Sequence, residues 1–324
     1  MTMAGAEKGL VCRGSSSLPV SVSGGVVAIG NFDGVHRGHL AVVSTALDLA
    51  RPDSRPTIAL TFEPHPRTFF RPDHPVFRLT PESQKTALLI ESGFDAVVIE
   101  AFDADFAAVT AEEFVHRILR QHLRASHVVA GHDFHFGKGR AGTPQFLQQE
   151  AAHAGIGVTL VEPHRDEDGE IISSSRIRRC LGDGDIARAN ALLGRHWSVS
   201  GTVIHGKKLG RTLGYPTANL LLPAENHLAH GIYAVQLRRA DGSLHDGVAS
   251  YGRRPTFDNG EALLETFVFD FADDLYGEEI SVIFHGFLRG EEKFDSVEAL
   301  VEQMDRDSAN ARSVLSKSIS GFIR

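Results

Sequence analysis

The chain has 324 residues, of which 42% are apolar and 8% aromatic. This length suits one large domain or two of ordinary size, and the composition is typical of a soluble globular protein, so we expect two domains. The 33 basic against 41 acidic residues give a net charge of −8, which argues against binding to a nucleic-acid backbone or an anionic membrane. Neither cysteine, Cys12 or Cys180, has a second Cys or His at a metal-ligand spacing, so no disulfide framework or zinc module is predicted.

The N-terminal stretch lacks the continuous apolar core of a signal peptide, and no run approaches the ~18 apolar residues of a membrane span. We therefore expect a cytoplasmic protein. A local basic pocket can still hold a small anionic ligand despite the negative net charge. Small-molecule partners are expected, with no nucleic acid and no membrane, and homo-oligomerisation is left open.

Through about residue 185, short strand-like runs alternate with amphipathic helical patterns. The runs of strand length, rich in β-branched residues, are 25–30, 57–62, 95–102, 127–131 and 157–162. Between them, Thr80 before Pro81 predicts a helix N-cap. Thr110 with Glu113 predicts a capping box. Because this alternation implies right-handed crossovers, we predict a Rossmann-like, mainly parallel sheet with helices on both faces.

From about residue 197, strands separated by turns replace that pattern. The predicted strands are 198–204, 232–239, 243–250, 263–271 and 280–287. Glycine-containing turns at 240–243 and 258–260 supply the positive φ angles that hairpins need. We therefore predict a small antiparallel β-barrel for this half.

A terminal helix is predicted from Asp295, with Glu298 as its cap partner. Its apolar side consists of Val297, Leu300, Val301 and Met304. The two halves join within 182–197, where a short helix ends at Gly194. We accordingly predict domains at 1–188 and 189–324.

The string GNFDGVHRGH (30–39) lies at the carboxyl end of the first predicted strand, where open α/β sheets bind ligands. Gly34 and Gly38 allow the backbone to approach phosphate. His36 and His39 are one helical turn apart and face one spot. There are two alternatives for this pair of histidines. They could simply be solvated, or they could bind a metal, which would require a third ligand. HRGH, however, is similar to the HxGH signature of nucleotidylyltransferases, whose imidazoles stabilise charge on the α-phosphate as pyrophosphate leaves.

The string ISSSRIR (172–178) resembles the ISSTxIR element of the same superfamily and comes in the expected order. Ser173, Ser174 and Ser175 lead into a short helix whose free amides and hydroxyls can hold phosphate oxygens. Arg178 offers a guanidinium fork to the leaving group. An ordinary serine-rich helix cap is the alternative.

Two further strings, TFEPHP (61–66) and GHDFHFGKGRAG (131–142), also follow strand ends. Together with FDGVHRGH they resemble the adenylyltransferase half of the prokaryotic bifunctional FAD synthetases, the riboflavin kinase/FMN adenylyltransferases. The resemblance implies catalysis by His36 and His39. It implies ATP or phosphate contacts at Gly30, Phe32, Asp33, Gly34, Gly38, Ser174, Ser175 and Arg178.

The same resemblance implies flavin contacts at His65, Asp133, Phe134 and Phe136. It also places Arg140 where it could meet phosphate. A metal cluster of His132, Asp133 and His135 is the rival interpretation, although adjacent strand residues point to opposite faces. Phe134 and Phe136 are equally compatible with core positions.

In the second half, the GRxLGYPTAN portion of GTVIHGKKLGRTLGYPTANL (201–220) resembles the riboflavin kinase module of the same family. A pliable basic loop suited to polyphosphate contains Gly206, Lys207, Gly210 and Arg211. A common glycine turn is the alternative for this loop alone. Thr217 and Asn219 occupy alternate positions of an extended segment, so they share one face and can hold Mg²⁺ on ATP.

The family uses a glutamate in the strand after the PTF segment as its base, and Glu265 occupies that position here. A carboxylate among leucines and phenylalanines is costly to bury without a task, and a structural salt bridge is the alternative. Phe267 stands where a histidine is frequent in the family, and Ser250 where an asparagine is frequent. The roles of these two neighbouring positions stay open.

The resemblance runs from about Gly25 to Arg312. It predicts an enzyme that phosphorylates riboflavin to FMN in the barrel and adenylylates FMN to FAD in the first half, with ATP in both steps and Mg²⁺ as the metal. One alternative is a chain with a single active module. A second is a flavin- or nucleotide-binding regulator, which would not need Glu265, and a third is a tRNA synthetase-like relative, for which a basic surface is missing.

Overall fold

The computed structural model describes residues 9–206, 214–253 and 262–318. The chain forms two compact units, Met1–Ser174 and Ser175–Arg324. The predicted turn at 258–260 lies outside the described residues. Within the described ranges, no helix is both long and apolar enough to cross a bilayer.

The first unit contains one sheet of six parallel strands. The strands are β1 (Leu10–Arg13), β2 (Val26–Ile29), β3 (Thr57–Glu63), β4 (Ala96–Ala101), β5 (His127–Gly131) and β6 (Gly157–Val161). Their order across the sheet is β1-β4-β3-β2-β5-β6. The Rossmann-like prediction is confirmed. Strand β1 was not predicted, because a four-residue edge strand has no internal pattern and is defined only by its pairing with β4.

Strand β2 shows why the sheet is covered on both faces. Val27 and Ile29 belong to one buried apolar cluster, and Val26 and Ala28 belong to another. Because successive side chains of a strand point to opposite faces, a wholly apolar strand needs helices on both sides.

The helices of the first unit lie between these strands. They are α1 (Arg37–Ala50), α2 (Pro66–Phe70), α3 (Glu82–Glu91), α4 (Ala104–Ala107), α5 (Ala111–Glu113, continued by a π-helix over Phe114–His122) and α6 (Pro144–His153). The capping box of Thr110 and Glu113 is confirmed, since each side chain accepts the backbone N–H of the other residue. The predicted N-cap at Thr80 is wrong: α3 begins at Glu82, after Pro81, and the Thr80 hydroxyl binds elsewhere.

The second unit contains one antiparallel sheet, rolled into the predicted barrel. Its strands are β7 (Ser198–Thr202), β8 (Thr217–Leu221), β9 (Gly231–Arg238), β10 (Leu244–Arg253), β11 (Ala262–Val268) and β12 (Glu279–Arg289). Their order is β7-β12-β9-β10-β11-β8. A bridge between Ile204, just after β7, and Asn219 in β8 brings the two edges together.

Three helices complete this unit: α7 (Ser174–Gly182, starting at the boundary), α8 (Ile186–Leu193) and α9 (Val297–Ser318). Helix α8 ends at Gly194 in a left-handed conformation, as predicted. The predicted cap of α9 at Asp295 is wrong by one residue, because Ser296 Oγ accepts the Ala299 N–H.

Candidate active sites

Three of the motifs identified in the sequence, within 30–39, 61–66 and 131–142, lie at one edge of the first sheet. Strand β2 lies between β3 and β5, and all three run parallel. Their carboxyl ends therefore adjoin, and the segments 30–39, 61–66 and 131–142 begin there. This edge includes the point where the strand order reverses, which is where open α/β sheets bind ligands.

The segment 30–39 forms a tight loop that ends in the first turn of α1. His36 is the N-cap of α1, and its Nδ1 accepts the His39 N–H at 3.2 Å. The two imidazole rings are stacked, with centroids 3.7 Å apart and planes 15° apart. The structure therefore brings the two predicted catalytic histidines together as one stacked pair.

Gly38 is needed beside this pair for steric reasons. A Cβ at Gly38 would lie 3.0 Å from Cε1 of His36 and 3.2 Å from the carbonyl oxygen of Ile172. Because Gly38 has no side chain, the His36 ring can pack directly against its backbone. Gly30 similarly faces the ring of Phe32, a residue that is 1% exposed, so the Phe32 side chain packs inside the protein.

Asp33 and Ser174 support the loop from within. The Asp33 carboxylate is 1% exposed, and its Oδ1 accepts the N–H groups of Leu79 and Thr80 at 3.0 and 3.2 Å. The Ser174 hydroxyl donates to the Asp33 carbonyl at 2.8 Å. These contacts hold the loop, and phosphate binding by the two residues stays a prediction. Ser175 and Arg178 follow in α7, the first helix of the second unit.

Beneath the loop lies a buried group of charged side chains that the sequence did not reveal. Arg78 donates to both carboxylate oxygens of Glu63, at 2.6 and 2.5 Å, and Lys85 Nζ lies 2.6 Å from Glu63 Oε1. Burial lowers the pKa of Lys85, with Glu63 opposing it. Burial raises the pKa of Glu63, but Arg78 and Lys85 outweigh it and hold that pKa below its usual value.

His65 lies at the next strand end, where its Nδ1 caps α2 by accepting the Arg67 N–H at 3.1 Å. Close to it in the chain, Phe70 is 63% exposed and packs edge-on against Phe69 and Phe102. This aromatic surface was not predicted from the sequence. The only signal was the pair of adjacent phenylalanines after TFEPHP.

The third strand end carries a pair of stacked phenylalanines. The rings of Phe134 and Phe136 are 5.4 Å apart, with planes at 11°. Phe136 is buried in the core, whereas Phe134 is half-buried and packs against it. Asp133 is exposed, near His132. The rival metal cluster is not supported, since the described residues contain no group of three His, Cys, Asp or Glu side chains suited to a metal.

In the barrel, Glu265 has a neighbour of interest on each adjacent strand. One is the predicted metal ligand Asn219, and the other is Ser250, which stands where the family often has an asparagine. Glu265 on β11 lies opposite Asn219 on β8 and opposite Ser250 on β10. Directly opposed residues of adjacent strands share a face, so the three side chains lie side by side. Phe267 lies opposite Thr217 in the same way, and its ring is 4.7 Å from that of Tyr215.

Asn219 is the most constrained member of this group. It is 3% exposed, and its Nδ2 donates to the Thr217 carbonyl at 3.2 Å. Its Oδ1 is buried and accepts no hydrogen bond from any residue that the structure describes. Gly206 passes close by, since a Cβ there would lie 2.6 Å from Nδ2. Lys207, Gly210 and Arg211 lie outside the described residues.

Each half of the chain matches the model of a known protein family. The family model for FAD synthetase matches residues 19–176, and the model for riboflavin kinase matches residues 193–315. The chain is 39% identical to the bifunctional riboflavin kinase/FMN adenylyltransferase of Escherichia coli strain K12, over 89% of this chain and 92% of that protein. The chain belongs to the bifunctional riboflavin kinase/FMN adenylyltransferase family.

A second relative and a solved structure also match most of the chain. The bifunctional riboflavin kinase/FMN adenylyltransferase of Pseudomonas fluorescens is 40% identical, over 94% of this chain and 98% of that protein. A crystal structure named a macrolide-efflux protein from Streptococcus pneumoniae matches with a TM-score of 0.84 and 33% identity, over 94% of this chain and 99% of that chain. The chain is thus a riboflavin kinase and FMN adenylyltransferase of FAD biosynthesis, and not a tRNA synthetase-like relative.

Proposed function

We propose that adenylyl transfer takes place over the loop 30–39, with His36 and His39 as its catalytic side chains. Because Nδ1 of His36 accepts the His39 N–H, a neutral His36 carries its proton on Nε2 and can donate it to a phosphate oxygen. The FMN phosphate attacks the α-phosphate of ATP, the bond between the α-phosphorus and its bridging oxygen breaks, and pyrophosphate leaves with the electron pair. The imidazoles stabilise the charge that develops, without a covalent intermediate.

Further residues position the two substrates of this step. Ser175 and Arg178 hold the leaving phosphates, as the family resemblance implies. The flavin lies against aromatic side chains at the strand ends, where Phe70 and Phe134 each offer flat apolar surface. His65, at one of these strand ends, is a further predicted contact. Phe136 supports Phe134 from the core. Ser174 and Asp33 hold the loop, and the phosphate contacts that the family resemblance implies for them stay a prediction.

In the barrel, Glu265 accepts the proton of the riboflavin 5′-hydroxyl as that oxygen attacks the γ-phosphate of a second ATP. The bond between the γ-phosphorus and the bridging oxygen breaks, and ADP leaves. The single observation that carries this assignment is the cross-strand register, which sets Glu265 directly beside Asn219. Ser250, on the other side of Glu265, replaces the amide that is frequent in the family with a hydroxyl.

Thr217 and Asn219 are the residues that would hold Mg²⁺. The buried Oδ1 of Asn219 has no hydrogen-bond donor among the described residues, and amide and hydroxyl oxygens are ligands that Mg²⁺ accepts. When bound, the ion neutralises charge on the ATP phosphates. The protein's part is to fix the amide, which the bond from Nδ2 to the Thr217 carbonyl does.

The two-centre assignment is tested with two variants, each serving as the control for the other. Glu265→Ala should slow FMN formation from riboflavin by at least ~100-fold and leave FAD formation from supplied FMN unchanged. His39→Ala should do the reverse. The rates of FMN formation and of FAD formation are measured by separating the flavins in samples taken over time from reactions that contain ATP and Mg²⁺.

Loss of both activities in a folded variant would contradict the two independent centres. A wild-type chain that forms only FMN would support the single-module alternative. A chain that binds flavin and forms no product would support the regulator.

A further inference from the structure

The loop 30–39 is fastened to a segment well downstream of it in the chain, residues 78–80. The N–H groups of Leu79 and Thr80 donate to Asp33, and the Thr80 hydroxyl accepts the Gly34 N–H at 3.0 Å. Thr80 is fully buried and Asp33 is 1% exposed. These bonds are therefore shielded from water, and losing one would leave a polar group unsatisfied in the interior.

The backbone of the loop needs such support. Three of four consecutive residues in it are left-handed: Phe32 at φ 48°, Gly34 at φ 92° and Val35 at φ 38°. A β-branched residue such as Val35 rarely adopts this conformation, which costs about 1–3 kcal/mol and persists only where the surroundings impose it. The strained stretch ends at His36, so its conformation sets where the His36 ring lies.

The segment 78–80 is itself anchored to the buried charges beneath the loop. Arg78 binds Glu63 through two parallel hydrogen bonds, and Lys85 is paired with the same carboxylate. Lys85 Nζ also donates to the carbonyl of Asn31, within the loop, at 3.3 Å. The two cations Arg78 and Lys85 face the anions Glu63 and Asp33, so the cluster adds rigidity without adding net charge to the site.

We propose that residues 78–80, which we call the 78–80 clasp, position the loop for adenylyl transfer without touching either substrate. Through Asp33 and Gly34 the clasp holds the backbone conformation that stacks His36 on His39. This inference rests on the proposed function of the two histidines. It makes Arg78 and Thr80 positioning residues for one of the two activities of the chain.

The test is Thr80→Val, which keeps the shape of the side chain and removes the acceptor of the Gly34 N–H. The turnover number for FAD formation from FMN should fall about tenfold, because one buried hydrogen bond is lost. KM for FMN and for ATP should stay within about twofold, as expected for a defect in the transition state. FMN formation in the barrel should be unchanged, and Thr80→Ser should restore FAD formation.

Thr86→Val is the matched control. Thr86 is also buried, but its hydroxyl donates to the carbonyls of Glu82 and Ser83 in its own helix, so FAD formation should stay at the wild-type rate. Arg78→Lys keeps the charge and loses the two-pronged bond to Glu63, and should lower turnover about threefold. If Thr80→Val does not fold, the turnover of Arg78→Lys serves as the test of the 78–80 clasp.

His39→Ala is measured alongside to separate the two proposals. If His39→Ala abolishes FAD formation while Thr80→Val and Arg78→Lys keep the wild-type turnover, the clasp is wrong and the histidine site stands. If His39→Ala retains FAD formation, the proposed function of the loop is wrong. An equal loss in Thr86→Val would show that the effect is general destabilisation, and would overturn the clasp.

Discussion

The stacking of His36 on His39 limits the charge that the two rings can carry together. Two imidazolium ions whose ring centroids are 3.7 Å apart would repel each other. His36 caps α1 through the lone pair of Nδ1, which a second proton on that ring would remove. The cap therefore requires a His36 ring whose single proton is on Nε2, from which it can be donated.

A second histidine pair, His196 and His285 in the second unit, gives a prediction about stability. Their ring centroids are 4.0 Å apart, and within the described residues neither ring nitrogen of His285 has a hydrogen-bond partner. Burial, and then the nearby His196, lower the pKa of His285 from 6.5 to about 4, with Asp246 opposing them. The unfolded chain therefore binds this proton more tightly than the folded one.

Stability should be complete above pH 6.5 and fall as the pH drops towards 4, by about 1–2 kcal/mol once the partial exposure of the ring is allowed for. Urea unfolding of the second unit, followed from pH 7.5 to 4.5, measures this loss. His285→Phe should flatten the dependence. The exposed His74 is the matched control, and a His74→Phe chain that loses the dependence equally would contradict the assignment.

At the scale of elements, helix α9 is attached to the barrel by its second half. Ala311 and Leu315 are buried against Ala234 and Phe269, whereas Val297 is 55% exposed. The apolar side predicted from Val297 to Met304 therefore includes a position that faces solvent. Helical periodicity gives the side of a helix that is apolar, but which turns of that side meet the barrel depends on the strands against which the helix packs.

The buried ion pair of Arg289 and Asp307 should dominate the attachment of α9. Asp307→Ala leaves the Arg289 guanidinium partly buried without the carboxylate that binds it at 2.7 Å, and should lower the free energy of unfolding by about 2–4 kcal/mol. Glu302→Ala removes an exposed pair with Arg306 on the same helix and should cost ~0.5 kcal/mol or less. Chemical denaturation of the second unit measures both. Equal losses would show that burial does not decide the strength of these pairs.

At the scale of the whole molecule, the predicted boundary after residue 188 falls inside α8. Side chains of α8 pack within the second unit: Asn190 donates to the Phe284 carbonyl at 2.9 Å and accepts the Trp197 N–H at 2.7 Å. Ile186, in the first turn of α8, is 1% exposed. We propose that the kinase half begins before α8.

A fragment of residues 175–324 should therefore be more stable than a fragment of residues 189–324. The shorter one loses the burial of Ile186 and the cap from Asp185, which together contribute about 2–4 kcal/mol. We expect its Tm to be lower by about 10 °C, while both fragments form FMN. Equal melting temperatures by circular dichroism would support the boundary at residue 188.

Most of the fold could be predicted because its signals are local. Alternation of apolar residues, the Thr110 capping box and the turn glycines each depend on a few neighbouring residues. The apolar runs predicted ten of the twelve strands found in the described part of the chain. Strand β1 was not predicted, since a short edge strand has no pattern of its own, and β8 was predicted only as an extended segment around Thr217 and Asn219. The same is true of the Thr80 hydroxyl, whose partner is 46 residues away.

The sequence by itself determined the chemistry of this protein. It showed two histidines in a glycine-containing loop, a glutamate within a strand and the PTAN motif, and these motifs indicated the family of both halves. Only the tertiary structure decided how those residues are supported. The strand order sets Glu63, Arg78 and Lys85 beneath the loop, and cross-strand register sets Glu265 beside Asn219. Residue types reveal which reaction a chain can carry out, whereas contacts between distant residues exist only once the backbone has folded and excluded water around them.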